Sequence, residues 1–144
     1  MTINQTLNQQ LANLNVLYTK LHRFHWYVKG PHFFTLHAKF EEFYEEAATI
    51  IDELAERLLI IGGEPIATLR EYIDYATISE SDQSLTAEEM VQELVRDYSL
   101  IVEELKIGIE VAEEANDQVT GDLFLDLVEK LHKHIWMLDS FLKA

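Results

Sequence analysis

The chain has 144 residues, 48% of them apolar, with 11 Lys and Arg against 26 Asp and Glu for a net charge of −15. That composition suits one packed domain, residues 1–144, and argues against disorder and against a basic nucleic-acid surface. With no cysteine, no run near the ~18 apolar residues of a membrane span and no signal-peptide pattern, disulfide scaffolds, thiolate chemistry and a membrane location are excluded, and a cytoplasmic protein is expected.

The first predicted helix runs from about Ile3 to Val28, with Ile3, Leu7, Leu11, Leu14, Tyr18 and Leu21 at steps of three or four. Gly30-Pro31 ends it, because glycine suits a helix C-terminus and proline disfavours helix in the residue before it. The second runs from about Phe34 to Ile61 and stops at Gly62-Gly63-Glu64-Pro65. About 24 residues, Gly62 to Leu85, then separate it from the third. That connection is long enough to cross from one end of a bundle to the other, and Ile66–Tyr75 within it suits a short extra helix. Thr86-Ala-Glu-Glu89 opens the third helix as a capping box, followed by the stripe Val91, Leu94, Val95, Tyr98, Val102, Leu105 and Ile109. The fourth begins near Thr120, with Leu123, Leu127, Leu131, Leu138 and Leu142 inward. Four long helices with one long crossover predict an all-α, ferritin-like four-helix bundle.

Charge is unevenly placed along this bundle. Residues 1–40 contain no Asp or Glu but hold His22, His25, His32 and His37, whereas residues 41–144 sum to −19. On a helical wheel with His37 at zero and about 100° per residue, Glu41, Glu45, Asp52 and Glu56 fall between about 40° and 100°. They form a stripe beside the apolar arc of Phe40, Phe43, Ile51, Leu54 and Leu58, apart from Glu42, Glu46, Glu53 and Arg57. The stripe has two readings, a solvated helix flank or half of a metal site. His25 continues the first helix's apolar stripe, and the Gly30-Pro31 turn sets it at a height similar to His37. Two imidazoles beside carboxylates suit iron or zinc. Asp52 and Glu56, however, lie ~22 and ~28 Å along the helix from His37 at 1.5 Å per residue, too far to share its ion. A second copy packed antiparallel across a two-fold axis brings them within reach and creates two equivalent intersubunit sites.

The run His25-Trp-Tyr-x-x-Gly-Pro-x-Phe-Phe-x-Leu-His37-x-x-Phe, followed by Asp52-Glu-x-Ala-Glu-Arg-x-x-x-x-Gly-Gly-x-Pro65, resembles the Dps family of mini-ferritins. The likeness extends over the whole chain through the long crossover and the His134-Ile-Trp-Met137 ending. It implies a dodecameric shell, built from two-fold dimers, that oxidises Fe2+, preferably with hydrogen peroxide, and stores the ferric mineral, protecting the cell and its DNA from oxidative damage. The implied ferroxidase ligands are His25 and His37 of one subunit with Asp52 and Glu56 of its partner. The family also places a carboxylate, often Asp, four residues after the second histidine. Here it is Glu41, one methylene longer. Zinc is the alternative occupant of the resting site.

The remaining candidates carry paired readings. Trp26 is either a packing residue at an interface or an electron donor beside His25, and Trp136 shares that ambiguity. Asp117, Asp122 and Asp126 match the acidic three-fold pores of the family, or serve the dipole at a helix start. Glu42, Glu45, Glu46 and Glu53 face either a mineral cavity or solvent. His22, His32 and His132 read as surface or structural residues and His134 as a core histidine. Two other functions compete: a DNA-compacting protein and a non-enzymatic helical bundle. Met1–Gln10 has no basic residue and the C-terminus has one, so direct DNA binding is disfavoured.

Overall fold

The computed structural model describes residues 1–143. Helices α1 (Ile3–Tyr27), α2 (Phe33–Ile60), α3 (Leu69–Tyr75), α4 (Ala87–Glu114) and α5 (Gln118–Leu142) follow in chain order, with no strand among the described residues. Local chemistry sets their ends. The capping box expected at α4 forms, Thr86 Oγ1 accepting from the Glu89 N–H at 3.2 Å and Glu89 Oε1 from the Thr86 N–H at 2.8 Å. A second box, Thr2 with Gln5, starts α1. Gly30 (φ 104°) and Gly62 (φ 82°) supply the left-handed turns after α1 and α2. Two starts differ from the sequence reading. Helix α5 begins at Gln118 because the Asp117 side chain caps it by accepting the Thr120 N–H, and α3 begins only at Leu69, capped by Thr68.

Side-chain pairings give the topology. Lys20 meets Asp97 and Asn13 meets Glu104, so α1 and α4 run antiparallel. Glu46 meets His134 and Arg57 meets Asp117, so α2 and α5 are antiparallel too. The crossover starts beside the N-terminal end of α1, where the Asn8 side chain bonds Glu64 and Ile66, and passes Asn13 at Thr77. It reaches Arg23 at Gln83. It has climbed the length of α1, so α2 and α4 run parallel, the ferritin-like arrangement.

The inward stripes meet in one continuous core. Leu17, Leu21, Phe24, Phe40, Leu54, Leu58, Leu94, Ile101 and Phe124 are all within 1% of complete burial, which makes apolar burial the main source of stability. Two polar knots cross it. The Asn13 amide is fully buried. It donates to Gln10, Thr77 and Glu104 and accepts the backbone N–H of Thr77 (2.8 Å) and Ile78 (3.3 Å), tying the crossover to α1 and α4. Lys20, 3% exposed, holds Asp97 at 2.6 Å and Glu93 at 3.6 Å. Burial pushes the Asp97 carboxyl above its ordinary value of 3.8, against the pull of the Lys20 ammonium.

Candidate metal centre

His25 sits near the C-terminal end of α1 and His37 in the second turn of α2, and the short turn between those helices places their rings face to face. Centroids are 3.7 Å apart and the planes 11° from parallel. Each imidazole is pinned by the other residue's backbone. His25 Nδ1 lies 2.6 Å from the His37 carbonyl oxygen, and His37 Nδ1 lies 2.7 Å from the His25 carbonyl oxygen. A carbonyl only accepts, so both Nδ1 atoms carry the proton and donate it. In the neutral ring this leaves the lone pair on Nε2, the form in which imidazole ligates a metal. His25 is 7% exposed, so its orientation is fixed by packing as well as by hydrogen bonding.

Glu41, one turn after His37, brings Oε1 to 3.6 Å from His25 Nε2. That is too long for a hydrogen bond, but two metal–ligand bonds of about 2.1 Å span it. The Glu41 side chain is half exposed, so this corner opens to the surface. Asp52 and Glu56 are exposed on the same unbroken helix, fifteen and nineteen residues beyond His37. The continuity of α2 maintains the ~22 and ~28 Å separations along the axis. Among the described residues, no three or more His, Asp or Glu side chains gather into a metal-binding group within the single chain. The single chain thus keeps a histidine pair with Glu41 apart from a distant pair of exposed carboxylates.

The surroundings contain one aromatic residue that pattern reading assigned no part in the site. Tyr44, seven residues and two turns after His37, stands edge-on to His25 at 5.5 Å and stacks on His22 at 3.8 Å. Its spacing from His37 was the available clue. Burial, then the charges of Glu41 and Glu45, raise its phenol above the ordinary value of 10.0, so it holds its proton at neutral pH. Trp26 projects outward, 68% exposed, with its ring 5.3 Å from His22. Beside these rings a groove of about 1280 Å³ runs between α1 and the crossover, lined by Tyr18, Trp26, Tyr27, Leu69, Tyr72 and Ile73 among others.

The far flank of α2 packs on α5. Glu46 Oε1 is 2.8 Å from His134 Nε2, at the edge of the ring cluster of Phe43 and Tyr98. His134 is therefore a half-buried seam residue rather than a fully buried one. Arg57 Nη2 donates to Asp117 Oδ1 and Arg57 Nε to Thr120 Oγ1, both at 2.9 Å. The other Asp117 oxygen accepts the Thr120 hydroxyl at 2.5 Å. Both Asp117 oxygens are thus engaged in holding the start of α5, whereas Asp122 and Asp126 are exposed. Desolvation pulls the Asp117 carboxyl upward, but hydrogen bonds from Thr120 and the Arg57 charge outweigh it and hold the pKa below 3.8.

Comparison with known proteins agrees with this architecture. The family described as "Ferritin-like domain" matches residues 4–144. The chain is 54% identical over 138 residues to DNA protection during starvation protein 2 of Bacillus anthracis, covering 96% of this chain and 94% of that one. It is similar to the crystal structure of Dps from Staphylococcus aureus, with a TM-score of 0.97, 48% identity and coverage of 99% and 95%. It is likewise similar to Dps from Listeria innocua solved after a zinc soak, with a TM-score of 0.95, 41% identity and coverage of 97% and 95%.

Proposed function

The chain belongs to the Dps family of ferritin-like proteins, and from that premise we propose that it is a cytoplasmic ferroxidase and iron store working at sites shared between two subunits. The observation that carries this reading is the reciprocal pinning of His25 and His37, which leaves two free Nε2 lone pairs beside Glu41. A buried histidine kept only for packing needs one hydrogen bond. Two rings held in the same tautomer with their ligating atoms free suit a cation better.

Fe2+ is the substrate. His25, His37 and Glu41 of one subunit bind it, and Asp52 and Glu56 of the two-fold partner complete the shell with hard oxygen donors that favour the ferric product. Open positions admit hydrogen peroxide. Two Fe2+ ions give one electron each, the O–O bond breaks, and hydrolysis of the ferric ions releases protons as mineral forms. Glu42, Glu45 and Glu53 are exposed on α2 and offer carboxylates to a growing mineral. The aromatic groove beside the histidine pair supports the dimer, because exposed Trp26, Tyr27 and Leu69 gain from burial. Twelve such subunits close the shell, with Asp122 and Asp126 lining an iron entry and Asp117 fixing the helix that bears them. Trp26 is an electron donor to the site, and zinc an alternative occupant of it at rest.

Direct binding to duplex DNA has no support in the charge of −15, so protection of DNA proceeds by removal of iron and peroxide. Anaerobic loading with Fe2+ followed by peroxide, monitored by ferric absorbance and by native mass of the assembly, tests the proposal. Rapid oxidation by a dodecamer is expected. A monomer, or a shell that oxidises iron no faster than buffer, overturns it.

A further inference from the structure

We propose that the pocket between the C-terminal end of α1 and the start of α4 binds inorganic phosphate, taken as the hydrogen phosphate ion. This goes beyond the iron reading and does not depend on it. The pocket encloses about 540 Å³. Arg23 enters it from the end of α1, Lys29 and His32 from the turn into α2, and Ser84 and Glu88 from the side where the crossover runs into α4. In a chain of net charge −15, few places offer an anion an uncompensated cation. Lys20, Lys39, Arg57, Arg96, Lys106 and Lys130 are each paired with a carboxylate. Arg23 and Lys29 form no ion pair among the described residues. They come from residues 1–40, which hold no Asp or Glu, so their charge is not cancelled from within their own segment.

Arg23 is half-buried and held in place by two contacts that leave its charge uncompensated. Its Nη2 donates to the Gln83 carbonyl oxygen at 3.4 Å, and its guanidinium lies over the Tyr27 ring at 4.9 Å. The first contact is long and the second uses the face of the group rather than an N–H, so most of its donors remain available. A planar fork stacked on a ring is suited to bind two oxygens of a tetrahedral oxyanion at once. Lys29 brings a second charge, and the Ser84 hydroxyl a neutral donor. Phe24 and Met90, both buried, give the pocket an apolar floor, where charged pairs are screened less than at an open surface. Glu88 then decides between oxyanions of the same shape. Its carboxylate repels sulfate, which is fully ionised, but accepts a hydrogen bond from the proton that phosphate retains at neutral pH. Two cations and one carboxylate together therefore select hydrogen phosphate.

Isothermal titration of the full-length, iron-free protein with orthophosphate, with sulfate and with a duplex oligonucleotide, all at one ionic strength and neutral pH, tests this. Saturable binding of one phosphate per subunit is expected, with sulfate weaker by at least about tenfold. Arg23→Gln and Lys29→Gln should each weaken phosphate by at least about tenfold, the loss of one charge-assisted hydrogen bond. Glu88→Gln should narrow the gap between phosphate and sulfate. Lys133→Gln, which removes an exposed, unpaired cation of α5, should leave phosphate binding unchanged. Native mass checks the assembly of each variant, and exposed Lys29 keeps the test decisive if Arg23→Gln fails to fold. No saturable phosphate binding, or binding unaltered by Lys29→Gln, overturns the proposal. So does sulfate binding as tightly as phosphate. Duplex binding lost in Lys29→Gln overturns it too, by assigning the pocket to a nucleic-acid backbone. No iron is present in these titrations, so their failure is distinct from failure of the ferroxidase reading.

Discussion

If each metal site draws His25 and His37 from one subunit and Asp52 and Glu56 from its partner, two inactive variants should repair one another in a fixed proportion. Helix α2 runs unbroken from Phe33 to Ile60, which keeps Asp52 ~22 Å from His37 along the axis and denies any chain a complete site of its own. Loss of groups that merely orient a metal ligand costs about 10–100-fold, and His25→Ala or Asp52→Ala, which delete ligands outright, should lower peroxide-driven iron oxidation by at least about 100-fold. In a mixed dimer, one site has lost both ligands and the other has regained all of them. Random co-assembly of equal amounts makes half the dimers mixed, so about a quarter of the native number of sites returns. The assay is the initial rate of ferric absorbance in shells formed by co-expression, with subunit ratio read by mass spectrometry. His25→Ala mixed with His37→Ala serves as control, because both lesions lie on the same half-site and no combination restores it. Full activity in either single variant refutes the ligand assignment. Equal, negligible activity in the complementing and control mixtures refutes the shared site.

Three further outcomes follow from the packing. Asn13→Ala removes the acceptor of two backbone N–H groups and a donor to Glu104; it should cost about 2–4 kcal/mol and lower the thermal midpoint by about 6–12 °C, with a fall under 2 °C contradicting the role given to the knot. Lys20→Met strands the Asp97 carboxylate inside the bundle and should cost about 3–5 kcal/mol, while Lys20→Met combined with Asp97→Leu should recover most of that in denaturant titration; a double variant no better than the single one contradicts the argument. The Asp117 carboxyl titrates below 3.8 in the folded chain, so its ionised form adds stability above that value and loses it as pH falls through the lowered folded one. The deficit of Asp117→Asn, measured by denaturation across pH 3 to 7, should therefore be full at neutral pH and shrink toward zero in acid, and a constant deficit would be the refuting result.

What a single sequence discloses here divides according to how far apart the partners lie along the chain. Capping boxes, glycine turns and apolar stripes are local, so the four long helices and the Thr86–Glu89 cap were legible as written. The histidine pair was legible for a related reason: the short connection of residues 28–32, with Gly30-Pro31 in it, makes His25 and His37 neighbours in a hairpin. Their shared tautomer was not, because it depends on two backbone carbonyls meeting two rings across that hairpin. Asn8 and Asn13 carried no visible cue at all, since the backbone groups they satisfy lie 56 to 65 residues away. The wheel sets Glu46 and Arg57 apart from the carboxylate stripe, with Glu46 facing either a mineral cavity or solvent, and α5 corrects that. Both residues bond to that helix, at His134 and at Asp117 and Thr120. A wheel measures the width of an apolar arc, yet a polar residue at its margin either faces water or a second helix, and only the arrival of that helix decides which. Under the proposed shared site, the carboxylates at the opposite margin, Glu41, Asp52 and Glu56, stand in the same relation to a second subunit. They are exposed in one chain, as Glu46 and Arg57 would be in a bundle without α5.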